Sequence, residues 1–488
     1  MSITKSEAFG DYDDFKPKLE GQESRRDSVR RGSIATIQAA IQKEPGWDKR
    51  NSVVPLEPVV NIDGGGKVID YNTVSWWQAG MLMIAESVSL GILALPAVLG
   101  AVGMVPGIIL ILGLGIVATY TGWVIGEFRH KYPWVHSFGD AGEIIGAPWH
   151  LGPFLRELFG WAQTLLQIFT MGSHILTFTI CLNTLTNGKV CTLVWSVVGL
   201  AVFWILGLPR TMGSVAYISI VSCISVTTAV LITMIDVGIN KPIGQGKLKA
   251  TAHIGFTEAF LNVSNIIFAF AGHSCYFGFI AEMKNPKDWP KALASLQIFD
   301  IVLYLVAAVV IYRYAGDEVA SPALGSATGV VKKVAWGIAL PTIVIAGVIY
   351  GHIASKYCFV RLFRGTKHLN TRTPLSTITW IAITAVVWIL AWIIAESIPN
   401  FGDLLGLIAA LFLTAFSYYI PGWFWLFMNY ENGVRGWFKD WKTICGFLSS
   451  SLALIIGVVS CVLGLWASGT AIAHDSGGYT WSCKSNAQ

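Results

Sequence analysis

Apolar blocks of about 20 residues follow one another from residue 75 to residue 467, parted by shorter polar stretches. At about 1.5 Å of rise per residue, each block is long enough to cross a hydrocarbon core as a helix. Lipid offers no hydrogen-bond partners, so the backbone of each block must be satisfied within the protein, and helices in a bundle achieve this. The predicted class is an all-α integral membrane protein. Its composition agrees: 54% of the 488 residues are hydrophobic and 13% are charged, against about 25% charged in a soluble chain. Twenty Trp and 25 Phe suit interfacial belts, and 50 Gly suit close helix contacts. The net charge of +5 is scattered among loops, which gives no reason to expect a nucleic-acid partner.

Eleven spans are predicted, at roughly 75–99, 104–128, 158–182, 190–207, 214–237, 258–281, 292–315, 334–355, 376–395, 401–428 and 444–467. Residues 1–74 are polar, carry no secretory signal peptide, and are too poor in apolar residues to fold alone. They read as a disordered tail, with 75–467 as the transmembrane domain and 468–488 as a second tail. With the N-terminus in the cytoplasm, inner segments hold 26 of the 34 Lys and Arg and outer segments hold 8. That asymmetry predicts a cytoplasmic N-terminus and an extracellular C-terminus. Two basic-x-Ser runs in the tail place Ser28 and Ser33 beside arginines. Phosphate there would cancel local positive charge. The plainer reading is a basic tail attracted to anionic membrane lipid.

Glu86 lies inside the first span, where a charged side chain costs about 2.5–3.5 kcal/mol on insertion scales. Ser87-Val88-Ser89-Leu90-Gly91 follows it, and then Pro96, so the helix is weakened just past the carboxyl. Span six holds a second weak point, Phe270-Ala271-Gly272-His273. Two interruptions five spans apart fit two inverted repeats of five helices with an eleventh appended. An unwound turn at membrane depth is tolerated where it faces protein or a cavity. A zwitterionic amino acid suits such a place: its carboxylate takes N–H groups at a half-helix N-terminus and its ammonium takes freed carbonyls. The carboxylate is assigned to Ser87, Val88, Ser89, Leu90 and Gly91, and the ammonium and side chain to Phe270, Ala271, Gly272 and His273. Glu86 is the expected proton-coupling residue, with a permanently charged structural carboxylate as the alternative. Ordinary glycine kinks are the competing reading of both interruptions.

Among other polar residues, Asp300 in span seven needs a partner that sequence cannot name, and His174 and His352 read as satisfied interior histidines. Cys191 and Cys483 both fall on the outer side of this topology, where disulfides persist. They are expected to pair, with two separate thiols as the alternative. No Cys/His spacing suggests a metal, and no cofactor is called for. No nucleophile–base pair marks an enzyme, and no charge ring or filter marks a channel.

Gly91-Ile92-Leu93-Ala94-Leu95-Pro96, Phe268-Ala269-Phe270-Ala271-Gly272-His273, Glu282-Met283-Lys284-Asn285-Pro286 and Ser137-Phe138-Gly139-Asp140-Ala141-Gly142 resemble motifs of the amino acid/auxin permease family. The resemblance covers about 75–467 and is nearest to the fungal N-system neutral amino acid permeases. It implies a LeuT-like fold and proton-coupled import of aliphatic and aromatic amino acids at the plasma membrane. Two departures stand out: Ala271 replaces a Glu found in many relatives, and Glu86 stands where sodium-coupled relatives carry a neutral ligand. The second favours protons over sodium. The competing function is a membrane receptor that senses amino acids without net transport.

Overall fold

The computed structural model describes residues 74–210, 215–240, 248–363, 366–369, 373–430, 433–474 and 480–486. The N-terminal tail with Ser28 and Ser33 lies outside the described residues. Span one divides into α1 (Trp76–Ser87) and α2 (Gly91–Val102), which meet at 55°. Next come α3 (Met104–Lys131), the short α4 (Phe138–Gly146), α5 (Gly152–Thr186), α6 (Thr192–Gly207) and α7 (Val215–Asn240). Span six is likewise two pieces, α8 (Phe256–Ala269) and α9 (His273–Glu282). They are followed by α10 (Trp289–Ala315), α11 (Gly329–Phe363) and α12 (Pro374–Ser397). The last three are α13 (Phe401–Ile408), α14 (Ile420–Met428) and α15 (Trp441–His474).

Among the described residues, eight helices are long and apolar enough to cross a membrane, or up to ten if each bent pair counts as one crossing. The expected eleven is reached only if α6 also crosses. It has 16 residues, fewer than the roughly 20 a hydrocarbon core requires. Large apolar side chains such as Ile109, Ile116, Ile224 and Val462 point outward, as lipid-facing helices require.

Sequence chemistry fixes several boundaries. Ser137 caps α4 by accepting from Asp140 N at 3.2 Å, and Asp140 Oδ2 accepts from Ser137 N at 3.0 Å. Gly103 turns the chain between α2 and α3 with φ +94°, and a Cβ there would lie 2.7 Å from Thr251 Cα. Both the conformation and the crowding require glycine. One irregularity escaped the sequence reading. Between α13 and α14 the chain runs through two π-helical turns, Ala409–Leu413 and Ala415–Tyr419, and bends by 41°.

The two ends of the bundle are tied differently. At one end Val74 pairs with Met283 in an isolated parallel β-bridge, Val74 N donating to Glu282 O at 3.1 Å and Lys284 N to Val74 O at 2.8 Å. Nearby, Phe128, Phe138, Phe277 and Phe424 stack from α3, α4, α9 and α14, with centroids as close as 4.3 Å. Arg156 reaches Glu143 and Glu157, and Arg361 also pairs with Glu157, joining α4, α5 and α11. At the other end Cys191 and Cys483 are bonded, S–S 2.04 Å. The segment carrying Cys483 rests on α5: Asn486 Nδ2 donates to Thr179 Oγ1 at 3.0 Å and Asn486 Oδ1 accepts from Asn183 at 2.8 Å. Trp481 packs edge-on against Trp392 of α12 at 5.2 Å.

Candidate functional site

The two interruptions touch. A Cβ on Gly91 would lie 2.5 Å from Ala269 Cα, so the start of α2 abuts the end of α8 with no room for a side chain. Each interruption follows from its sequence. Val88, Ser89 and Leu90 part α1 from α2; there Ser89 N donates to Ser87 O at 2.8 Å instead of to a carbonyl one helical turn back. Phe270, Ala271 and Gly272 part α8 from α9, where Ala271 N reaches Phe268 O at 3.3 Å in a tightened turn.

Beside the interruptions lies a cavity of about 40 Å³, the space open to the centre of a water molecule. Glu86, Ser87, Ser89 and Leu90 line it from the first interruption, and Ala271, Gly272 and Ser274 from the second. α5 contributes Gln167, Thr170 and His174, and α11 contributes Tyr350, which interacts with the Glu86 carboxyl. Among the described residues, several buried polar atoms here have no hydrogen-bond partner: Glu86 Oε1, Ser89 Oγ, both amide atoms of Gln167, and His174 Nε2. Buried polar atoms are ordinarily paired, so a cluster of unpaired ones around a cavity marks a place where a polar guest completes the bonding. The cluster offers acceptors to an ammonium and donors to a carboxylate. His174 Nδ1 lies 2.9 Å from Ile343 O, and a carbonyl can only accept. In the neutral ring Nδ1 therefore carries the hydrogen and Nε2 is left as an acceptor.

Four residues assigned to the site from sequence do not line the cavity. Val88 and Gly91 are buried away from it, Gly91 against Ala269. Phe270 packs its ring on Tyr304 at 5.3 Å. His273 turns to α3, with Nε2 2.9 Å from Ala118 O and 3.1 Å from Thr121 Oγ1. The reason is geometric, since alternate residues of a turn cannot all face one side. His174, taken as a satisfied interior histidine, is satisfied on one nitrogen only. Gln167 and Tyr350 were missed. Their signal was a polar or aromatic residue in the middle of an apolar helix, and nothing in the sequence tied either to the interruptions.

Asp300, whose partner was unknown, bonds the Ser87 hydroxyl through Oδ2. One turn further along α10, the Tyr304 hydroxyl lies 3.0 Å from both Ser87 O and Ala269 O. One face of α10 thus serves both interrupted helices where their carbonyls leave the helical ladder.

A family model described as transmembrane amino acid transporter protein matches residues 72–467. The N amino acid transport system protein of Neurospora crassa is 36% identical over 360 residues, covering 72% of this chain and 76% of that protein. A transmembrane transporter of Gibberella moniliformis is 31% identical over 386 residues, covering 77% and 80%. Among solved structures, an inward-facing conformation of Mhp1 aligns at TM-score 0.49 with 10% identity, covering 83% of this chain and 92% of that one. With the family profile spanning every described helix from α1 through most of α15, the chain belongs to the transmembrane amino acid transporter family.

Proposed function

We propose that this protein imports neutral amino acids, aliphatic and aromatic, together with protons by alternating access. The observation that carries the reading is the set of unpaired buried polar atoms around the cavity where two interrupted helices meet. A zwitterion's ammonium takes Glu86 Oε1 and the freed carbonyl ends, while its carboxylate takes the Ser89 hydroxyl and the Gln167 amide hydrogens. Glu86 is the only carboxyl among the cavity-lining residues. A cationic substrate would call for a second one, so a neutral side chain fits best. Protonation of Glu86 neutralises the site and lets the loaded carrier reorient, which couples uptake to an acidic exterior. The accompanying topology has eleven spans, two inverted repeats of five plus α15, an inner N-terminus and an outer C-terminus, in the plasma membrane. The family membership and the Neurospora crassa relative support an amino acid as the substrate.

The test is uptake of labelled leucine or tryptophan into proteoliposomes under an imposed pH gradient. Accumulation above equilibrium, abolished by a protonophore and competed by neutral but not by acidic or basic amino acids, is the expected outcome. Binding without accumulation would instead describe an amino-acid receptor.

A further inference from the structure

His174 carries a polar atom that the importer reading leaves unused. The residue lies in the middle of α5, is fully buried, and lines the cavity. Its Nδ1–H is spent on Ile343 O of α11 at 2.9 Å, so Nε2 is an acceptor, and among the described residues Nε2 has no partner. Hydroxyls nearby are committed elsewhere. Those of Thr170, Ser173 and Thr177 donate to carbonyls of α5 itself, and the Tyr350 hydroxyl is engaged with Glu86. The ring is also held in place. It lies beside the Tyr350 ring, centroids 5.7 Å apart, and a Cβ on Gly347 would come within 3.0 Å of His174 Cβ, so α11 closes on α5 at this residue.

Position along α5 decides what can reach that nitrogen. Gln167, Thr170 and His174 all line the cavity, and their spacing of three and four residues puts them on one face of the helix. From Gln167 to His174 is two turns, about 10 Å along the axis. In the importer reading the carboxylate takes the Gln167 amide hydrogens and the ammonium takes Glu86. Gln167 Oε1 belongs to that same amide and stays at the head-group end. His174 Nε2 is then left to the tip of the substrate side chain, and only a long side chain spans the gap. Leu90, Leu166 and Leu413 also line the cavity and offer apolar contact but no hydrogen-bonding side chain. Such a site sorts side chains by whether they bring a hydrogen, because an apolar tip leaves the buried nitrogen unpaired.

We infer that His174 is a specificity-determining residue. Its Nε2 accepts a hydrogen bond from the tip of a long, neutral side chain that carries an N–H, the amide of glutamine or the indole of tryptophan. Substrates of this class rank above those of the same shape that lack the hydrogen. The inference rests on the importer reading, which places the head group of the zwitterion at Glu86, Ser89 and Gln167. A bond of this kind is worth up to about tenfold in affinity.

The test is equilibrium binding of two matched pairs to the purified full-length protein. One pair is glutamine and methionine; the other is tryptophan and benzothienylalanine, whose ring sulfur replaces the indole N–H. Wild type should bind the first member of each pair about tenfold more tightly. H174N has an amide that can still donate to Ile343 O but no acceptor at the Nε2 position, and it should bring both ratios to within about twofold of one. If H174N does not fold, the wild-type ratios decide the matter. A wild-type ratio under about threefold in either pair overturns the inference. So do ratios that H174N leaves unchanged, including an equal loss for all four ligands, which would make His174 a partner of the head group. The expected ratios without gradient-driven accumulation of glutamine in proteoliposomes overturn the importer reading and leave the role of His174 standing. Gradient-driven uptake with flat ratios does the reverse.

Discussion

The two interruptions look alike in sequence and differ in kind. The first places a carboxyl, two hydroxyls and a 55° bend within a few residues. The second has no ionisable group facing the cavity: its Phe270 packs, its His273 bonds α3, and its Ala271 and Gly272 present backbone. One interruption thus supplies chemistry and the other supplies shape. They share the α10 face, where a single tyrosine hydroxyl reaches a carbonyl of each. Two broken helices therefore need not carry equal parts of a site, even when symmetry of pattern suggests it.

That contrast can be broken most forcefully at Gly91. A methyl group there would meet Ala269 backbone at 2.5 Å, with no side chain able to yield. Gly91→Ala should cost about 3 kcal/mol or more and lower the melting temperature of the detergent-solubilised protein, with transport lost. Wild-type melting would show that the two interruptions are not held in contact. Next in size is Glu86→Gln, which keeps the shape and removes the charge. Uptake against a concentration gradient should vanish and the pH dependence of counter-exchange should flatten; unchanged pH-driven uptake would move the chemistry away from the first interruption. The smallest effect is expected at Gly272, where a methyl group would lie 3.2 Å from the Tyr276 ring, a tight contact rather than the overlap met at Gly91. Gly272→Ala should change stability by less than about 1 kcal/mol and alter the KM for bulky substrates more than for small ones. An equal rise for alanine and tryptophan would show that the second interruption does more than shape the pocket.

Much of the framework was legible in the sequence because its causes are local. Block length gives a membrane crossing, and a Ser-Val-Ser-Leu-Gly stretch after a buried acid gives an interruption. Glu86, Ser87, Ser89, Leu90, Ala271 and Gly272 were picked on that basis, and all of them line the cavity. What escaped was set by packing across long sequence distances. Asp300 is 213 residues from Ser87, and no periodicity foretells that they meet. Gln167 and Tyr350 face the cavity from helices that are themselves unbroken. The π-helical turns between α13 and α14 start at Ala409 and Ala415, with Pro421 two residues past the second as their one nearby sign in the sequence.

The far end of the bundle carries a consequence for how α5 is secured. Asn183 sits wholly buried in the middle of the chain, and one of its amide bonds goes to Asn486. The thiol that secures this contact lies 292 residues after its partner. Without that stretch Asn183 would keep its bond to Thr192 Oγ1 at 2.8 Å and lose the one to Asn486. Residues 483–486 therefore complete this end of α5, and an unbridged Cys483 would mark a molecule in which that contact is not secured.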